Sequence, residues 1–410
     1  MDLRIKDVEN KAFFAQFVAR LAVHNLFKDS QFFLPKADYE RRYGDFPRYF
    51  PGWYLFVPGK DLADGEVIHK KLCGKDLVAY RGKDGRPVIH SDRCPHMDGL
   101  FSGGLGEVRD GKLICGYHRY AFENGKPLSG PKEFRSDPKN CIPCHPVREV
   151  NGLIMFWFDP DSPEGVGEPK WELDLPDVTH LPRRAFARSI APTHMAPLHE
   201  NIVDDQHFMM LHGSDRYRSE PQAYYEKHRF RTKNTMRMKL PDKIGPIPMR
   251  REDKAIEIQM DSEFHGLGIH INTVDIEGFE AKVIHCTTPI EDEVTEWTLA
   301  VYMPERQWSW KLDTKTIMGL VYPWGMIAQT WYLHTQDRRV FFEKGVYRFY
   351  EDVPKGFEKV NMFRRWIQEE LMGEPRPMGP NSRATTFVPE KKVKKRVRAT
   401  KSPAAAATAN

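Results

Sequence analysis

The sequence predicts an α+β protein of two domains, a small all-β domain followed by a mixed one. Three observations carry this. At 410 residues the chain exceeds what one core usually serves. Between 53 and about 160, short apolar stretches (WYLFVP, DLVAYR, RPVIHS, GKLICG, GLIMFWF) alternate with the turn signals KDG, SGG, RDG, ENG and VNG. That texture is many short antiparallel strands. Beyond the Pro- and Gly-rich segment DPDSPEGVGEP, read as a linker, strand-like and helix-like stretches mix.

The elements follow in order. Residues 8–27 place apolar side chains at spacings of three and four, which predicts an amphipathic helix in a lead-in covering 1–50. The β-rich domain is assigned to 51–163 and the mixed domain to 164–388. Within the latter we expect a helix over about 198–212, strands near 255–275, 282–303 and 316–334, and a helix from Val353 to Leu371. Residues 389–410 are expected to be a disordered basic tail. Seven of its residues between Lys391 and Lys401 are Lys or Arg.

Hydrophobic residues make up 40% and charged residues 29%, so disorder of the whole chain is excluded. The net charge of +5 comes from the tail, and the remaining chain is net acidic. A nucleic-acid surface on the folded body is therefore not implied. No run is long and apolar enough for a membrane span, and no signal-peptide core opens the chain. The expected location is the cytoplasm. Six cysteines in such a chain are more readily ligands or core residues than disulfides.

Four of the side chains that carry chemistry stand in DRCPHMDGLFSGGLGEVRDGKLICGYHRYAF. Cys94-x-His96 and, 18 residues on, Cys115-x-x-His118 each offer one thiolate and one imidazole from a tight turn. Zinc accepts such a set tetrahedrally. So does a 2Fe–2S cluster, with Cys94 and Cys115 on one iron and His96 and His118 on the other. There, neutral imidazoles raise the potential. Gly116 and the SGG turn would allow the close backbone approach, and Ile114, Tyr117 and Phe122 would shield the group. Cys141-Ile-Pro-Cys144-His145 matches the c-type haem pattern literally, but both cysteines are taken as packing residues.

A second set lies in PLHENIVDDQHFMMLHGSDRY: Asn201, Asp204, His207 and His212. Asp204 and His207, three apart, share a helix face. His207 and His212, five apart, are turned about 140° from each other on a straight helix. A widened turn or the helix end near Gly213 would bring them together. Two imidazoles and one carboxylate make the facial triad of a non-haem Fe(II) oxygenase. Met209, Met210 and Leu211 would give the apolar surroundings of a buried site. Asp337, in the aromatic segment WYLHTQDRRVFFEKGVY, is the candidate carboxylate, with Asp352 and Glu351 as alternatives.

Both sets, in this order, resemble the Rieske non-haem iron ring-hydroxylating oxygenases over roughly 50–380. The run Asn201-x-x-Asp204-x-x-His207-x4-His212 is the most specific part. The strand HCTTPIEDEVTEWTL is similar to the family's threonine-proline strand. Gln336-Asp337 followed by aromatics and Glu343-Lys344 resembles the third-ligand region of the 3-ketosteroid 9α-hydroxylase oxygenase and its relatives. The spacing between the cluster halves is slightly longer than usual, and the stretch after Asp337 diverges. The resemblance implies a Rieske 2Fe–2S domain, a helix-grip (START-like) domain with an antiparallel sheet holding a mononuclear Fe(II), and a ring-shaped homotrimer. In such a trimer the cluster of one subunit faces the iron of its neighbour, and Asp204 bridges His118 and His207 across the interface. It also implies dioxygen and a hydrophobic small-molecule substrate, with Met209, Met210, Trp331 and Phe341 near it. The chain has no Gly-rich dinucleotide fingerprint, so electrons from NADH or NADPH would need a separate flavin reductase, ferredoxin or both.

Overall fold

The computed structural model describes residues 39–211, 216–239, 243–244, 247–248, 255–276, 279–305, 337, 340–341 and 346–374. The predicted helix at 8–27, the strand at 316–334 and the basic tail lie outside them. The short helix α1 (Tyr39–Tyr43) leads into three small antiparallel sheets. One pairs β1 (Gly52–Pro58) with β10 (Leu153–Phe158) and β9 (Val147–Val150). The second joins β2 (Ile68–Leu72), β3 (Lys75–Arg81) and β4 (Pro87–Ser91). The third runs through β5 (Glu107–Arg109), β6 (Lys112–Ile114), β7 (Ala121–Glu123) and β8 (Lys126–Pro127).

The turn signals explain the hairpins. Asp110-Gly111, Asn124-Gly125 and Asn151-Gly152 all have positive φ at both positions. Two consecutive left-handed residues twist a two-residue hairpin in the sense that its strands require. Cys73-Gly74 does the same between β2 and β3 and was not anticipated.

The sequel is a seven-stranded antiparallel sheet in the order β11-β19-β18-β17-β16-β13-β12. Its members are β11 (Arg183–Ala191), β12 (Arg216–Glu226), β13 (Arg229–Lys239), β16 (Ala255–His265), β17 (Ile269–Ile276), β18 (Phe279–Glu291) and β19 (Val294–Met303). The minimal hairpin β14 (Lys243–Ile244) and β15 (Ile247–Pro248) stands apart from it. The stretches expected at 255–275 and 282–303 are each a pair of strands. The pairs turn at Gly266 to Gly268 and at Asp292-Glu293.

Alternation along the strands gives the sheet two different faces. On one, Ile269, Ile271, Ile284, Cys286, Ala300 and Tyr302 pack against Trp53, Leu55, Leu153, Met155 and Trp157 of the β-rich part. Trp171, two residues beyond the expected linker, joins this core, and its carbonyl accepts the Trp53 indole N–H at 2.9 Å. The chain is thus packed down directly after the linker.

The other face meets helices. After α2 (Lys132–Ser136), the chain forms α3 (Met195–Val203), α4 (Asp205–Met210) and α5 (Glu358–Trp366), which continues as a wide helical turn through Leu371. The last helix begins five residues later than Val353, because Pro354 and Gly356 (φ +102°) stand in between. Its Phe363 and Trp366 rings sit 5.3 and 5.5 Å from Phe230 and pack on Phe264 as well. Burying each of these large side chains contributes about 2–3 kcal/mol. Arg364, on the same helix, makes a two-pronged buried ion pair with Glu200 of α3 (2.8 and 2.9 Å), and Tyr347 donates its hydroxyl to Glu200 at 2.7 Å. This pair fixes α3, the helix that carries Asn201.

Candidate metal centres

Two loops of the β-rich part present Cys94, His96, Cys115 and His118, and they share one backbone shape. Cys94 N–H donates to Gly99 O, and Asp98 N–H donates back to Cys94 O. Cys115 N–H donates to Tyr120 O, and Arg119 N–H donates back to Cys115 O, all at 2.9–3.0 Å. The fourth residue after each cysteine is left-handed, with φ +58° at Asp98 and +60° at Arg119. The buried carboxylate of Asp92 braces the first loop by accepting Ser102 N–H at 2.8 Å.

Glycines let these loops approach. A Cβ at Gly116 would stand 2.5 Å from the Leu105 carbonyl carbon, and one at Gly99 would stand 3.2 Å from Cys115 Sγ. The two thiols are buried and within hydrogen-bonding reach of each other. Burial pushes Cys94 up to about 11, partly opposed by the His96 amide. A bound cation reverses that preference, because it favours the thiolate. The two Nδ1 atoms of His96 and His118 face each other at 3.2 Å.

Among the described residues no three His, Cys, Asp or Glu side chains already stand around one point. Convergence is pairwise, Cys94 with Cys115 and His96 with His118. Tetrahedral zinc needs four donors on one centre, whereas a 2Fe–2S cluster takes one pair on each iron. The geometry therefore fits the cluster better.

His96 is packed by Tyr120 (4.6 Å between centroids) and Phe134 (5.6 Å). Phe122 is fully buried beneath, as anticipated, and Ile114 is half-buried. Tyr117 is 62% exposed and shields nothing from above, because it stands at the loop tip beside His118. Cys141 is also exposed, where packing was expected, since the tight turn Pro138–Asn140 delivers it outward. Cys144 is half-buried, and His145 is buried with Nδ1 bonded to Trp157 O at 2.9 Å.

In the second centre the expected single helix is two. Asp204 (φ −84°, ψ 97°) interrupts it, and its Oδ1 accepts the N–H groups of Gln206 (3.0 Å) and His207 (3.2 Å), capping α4. The break swings His207 back toward α3. Its Nε2 meets the Asn201 amide nitrogen at 3.1 Å and Asp337 Oδ1 at 2.8 Å. Burial raises the Asp204 carboxyl above its ordinary value, opposed by the His207 amide. Glu351 is exposed and pairs with Arg348, and Asp352 is exposed, so of the three candidate carboxylates it is Asp337 that reaches His207. His212, Met209's side chain and Trp331 lie outside what is described. Met210, expected in apolar surroundings, is 85% exposed because α4 ends there. Phe341 is buried beside Leu198. Sequence reasoning missed the Glu200–Arg364 pair and a row of buried histidines on β17 and β18.

Fold and centres together define a two-part iron protein, and the comparisons agree. Residues 52–146 match the Rieske [2Fe-2S] domain, and residues 156–319 match the 3-ketosteroid 9α-hydroxylase C-terminal domain. The chain therefore carries a Rieske [2Fe-2S] domain followed by a domain of the 3-ketosteroid 9α-hydroxylase C-terminal type, with a 2Fe–2S cluster and a mononuclear iron as the cofactors.

It is 32% identical over 175 residues to cholesterol 7-desaturase nvd 1 of Ciona intestinalis, covering 41% of this chain and 36% of that protein. It is 27% identical over 172 residues to the probable 3-ketosteroid-9-alpha-monooxygenase oxygenase component of Rhodococcus rhodochrous, covering 40% and 42%. The matched segments thus span about two fifths of these relatives' own length. Among solved structures, dicamba monooxygenase bound to 3,6-dichlorosalicylic acid superposes with a TM-score of 0.56 at 17% identity, covering 78% of this chain and 96% of that one. At that identity the likeness concerns the fold.

Proposed function

We propose that the protein is the terminal oxygenase component of a multicomponent system that hydroxylates a hydrophobic cyclic substrate, steroid-like or aromatic, with dioxygen. The observation that carries this reading is the His207–Asp337 pair at 2.8 Å in a chain that also has a Rieske domain. A Rieske electron carrier without oxygen chemistry has no use for such a pair.

In this assignment the part covering 51–163 holds the cluster through Cys94, His96, Cys115 and His118. The part covering 164–388 holds the mononuclear iron through His207, His212 and Asp337. When bound, the cluster supplies single electrons and the mononuclear iron supplies dioxygen activation. Asn201 lies against the Nε2 edge of His207, the edge that would face the iron, and Asp204 fixes the His207 backbone by capping α4. Electrons come from NADH or NADPH through a flavin reductase, a ferredoxin or both, and the proposed location is the cytoplasm.

A homotrimer is the assembly this reading requires, with Asp204 joining His207 to His118 of the neighbouring copy. Its support is the exposed apolar surface around His118, formed by Met97, Leu100, Leu105 and Tyr117, and exposed Met210 close to Asp204. Oxidative demethylation, desaturation and dihydroxylation use the same two centres and differ in how substrate is held.

The test is substrate-dependent NADH and dioxygen consumption by the purified protein with a surrogate reductase. Steroids, aromatic acids and aryl amines would be screened and products analysed by mass. Product gaining one oxygen is expected. NADH oxidation that no member of the panel changes would contradict the assignment.

A further inference from the structure

The helix-facing side of the large sheet carries a stack of rings across four strands. Phe264 on β16 lies 4.3 Å from His270 on β17, at 15° between planes. His270 lies 4.8 Å from His285 on β18, and His285 lies 5.5 Å from Trp297 on β19. His270 and His285 are register partners. They point away from the apolar face formed by Ile269, Ile271, Ile284 and Cys286. His199, on α3, closes over the row at 6.3 Å from His270.

Hydrogen bonds fix which atoms are donors. Ser262 Oγ–H donates to Asn272 Oδ1 at 2.6 Å, so the Asn272 amide nitrogen donates to His285 Nε2 at 3.3 Å. A neutral His285 then carries its proton on Nδ1, and that N–H has no hydrogen-bond partner among the described residues. Neither ring nitrogen of fully buried His270 makes a hydrogen bond of good geometry, although the Asn272 side chain lies near enough to oppose its loss of charge. His199 donates from Nε2 to Leu267 O and Thr287 Oγ1, both at 2.8 Å, which leaves its Nδ1 as a buried acceptor. Phenylalanine would complete the stack equally well, without burying orphan donors and acceptors. Both rings of the row are neutral: burial presses His285 down to about 3 and His270 far below its ordinary value. Lys359, which also reaches this face, is engaged by Asn234 at 2.8 Å and by Asp205.

We propose that His270, His285 and Asn272 form a recognition site for an uncharged oxygen, a ketone or hydroxyl, on an otherwise apolar ligand. The His285 Nδ1–H donates to that oxygen, and His270 supplies one donor and one acceptor beside it. Neutral imidazoles on an apolar sheet disfavour a carboxylate. The site deepens the assignment above and rests on it, since the ligand is the hydrophobic cyclic substrate.

The test uses the holoenzyme and matched probes: androst-4-ene-3,17-dione against androst-4-ene, and 1-indanone and 1-indanol against indane, with dissociation constants from equilibrium dialysis. The oxygenated member of at least one pair should bind tenfold tighter or more. In His270→Phe and His285→Phe, which keep the stack, that margin should fall below threefold while the hydrocarbon binds as before. Asn272→Leu is the second arm, and it should lower the margin with both rings in place. Each variant should show an unchanged cluster absorption spectrum. Equal binding within every pair, no binding, or a margin that survives in the variants overturns the site. Dioxygen uptake separates the two claims. Probe-driven uptake with no histidine-dependent margin removes this site alone. A margin without uptake by any probe leaves the site and removes the oxygenase reading.

Discussion

His207 Nε2 and Asp337 Oδ1 stand 2.8 Å apart, although 130 residues separate them in the chain. The contact exists because Asp204 breaks the helix and turns His207 back beneath Asn201. A helix unbroken through this region would have carried His207 onward, away from α3.

Asp204 caps α4 and, in the proposed trimer, also bridges two imidazoles, so the two roles can be tested separately. Asparagine caps a helix about as well as aspartate, whereas alanine costs about 1 kcal/mol. Asp204→Asn should keep its fold and both iron centres while turnover falls by about 10–100-fold, because the proposed charged bridge between two imidazoles would be lost. Asp204→Ala should add a measurable loss of stability in urea. Normal turnover by Asp204→Asn would remove the bridge.

Gly116→Ala tests the cluster loops. Its Cβ would meet the Leu105 backbone at 2.5 Å, a contact that only loop displacement relieves. Displacement should cost about 1–3 kcal/mol and prevent the four ligands from closing. The purified variant should lack the visible cluster absorption. A full complement of cluster would show that the loops are looser than described.

Arg364→Met takes the two-pronged guanidinium away from buried Glu200. Burial disfavours the charge of Arg364, yet Glu200 beside it holds its pKa above the usual value. Removing one partner of a buried pair typically costs about 3–5 kcal/mol, whereas replacing both by apolar groups costs far less. Urea denaturation of Arg364→Met and of Glu200→Leu/Arg364→Met should show that order. A double variant no more stable than the single one would contradict it.

Acid should destabilise the protein before its carboxylates protonate. Burial depresses His145 and His194 to about 4. Unfolded histidine titrates near 6.5, so between about 6.5 and 4 the unfolded chain binds more protons, and stability falls as pH falls. Each group contributes at most about 1.4 kcal/mol per pH unit in that window and nothing further below it. Denaturation midpoints at pH 7.5, 6 and 5, at one ionic strength, should decline progressively. A flat profile would contradict buried neutral histidines.

The cluster motif was legible in the sequence because its ligands sit in two short loops whose glycine and turn residues are local. The hairpins at Asp110, Asn124 and Asn151 were legible for the same reason. The strands β12 and β13 were not seen, because polar residues alternate there without a clear apolar period. The break at Asp204 was hidden because an Asp is compatible with a helix interior and with a cap, and the surrounding pattern chose continuity. Asp337 was chosen through a family resemblance, since nothing near it in sequence points to His207. The histidine row could have been suspected from His270 and Asn272 at strand spacing, but pairing with His285 is a matter of register.

Iron stoichiometry with electron paramagnetic resonance tests the central claim most directly. Anaerobically reconstituted protein should bind about three irons per chain and show a Rieske-type signal when reduced. Asp337→Ala should lower this to about two irons with the signal intact. Stoichiometric zinc in place of iron, or an iron content indifferent to Asp337, would contradict the account.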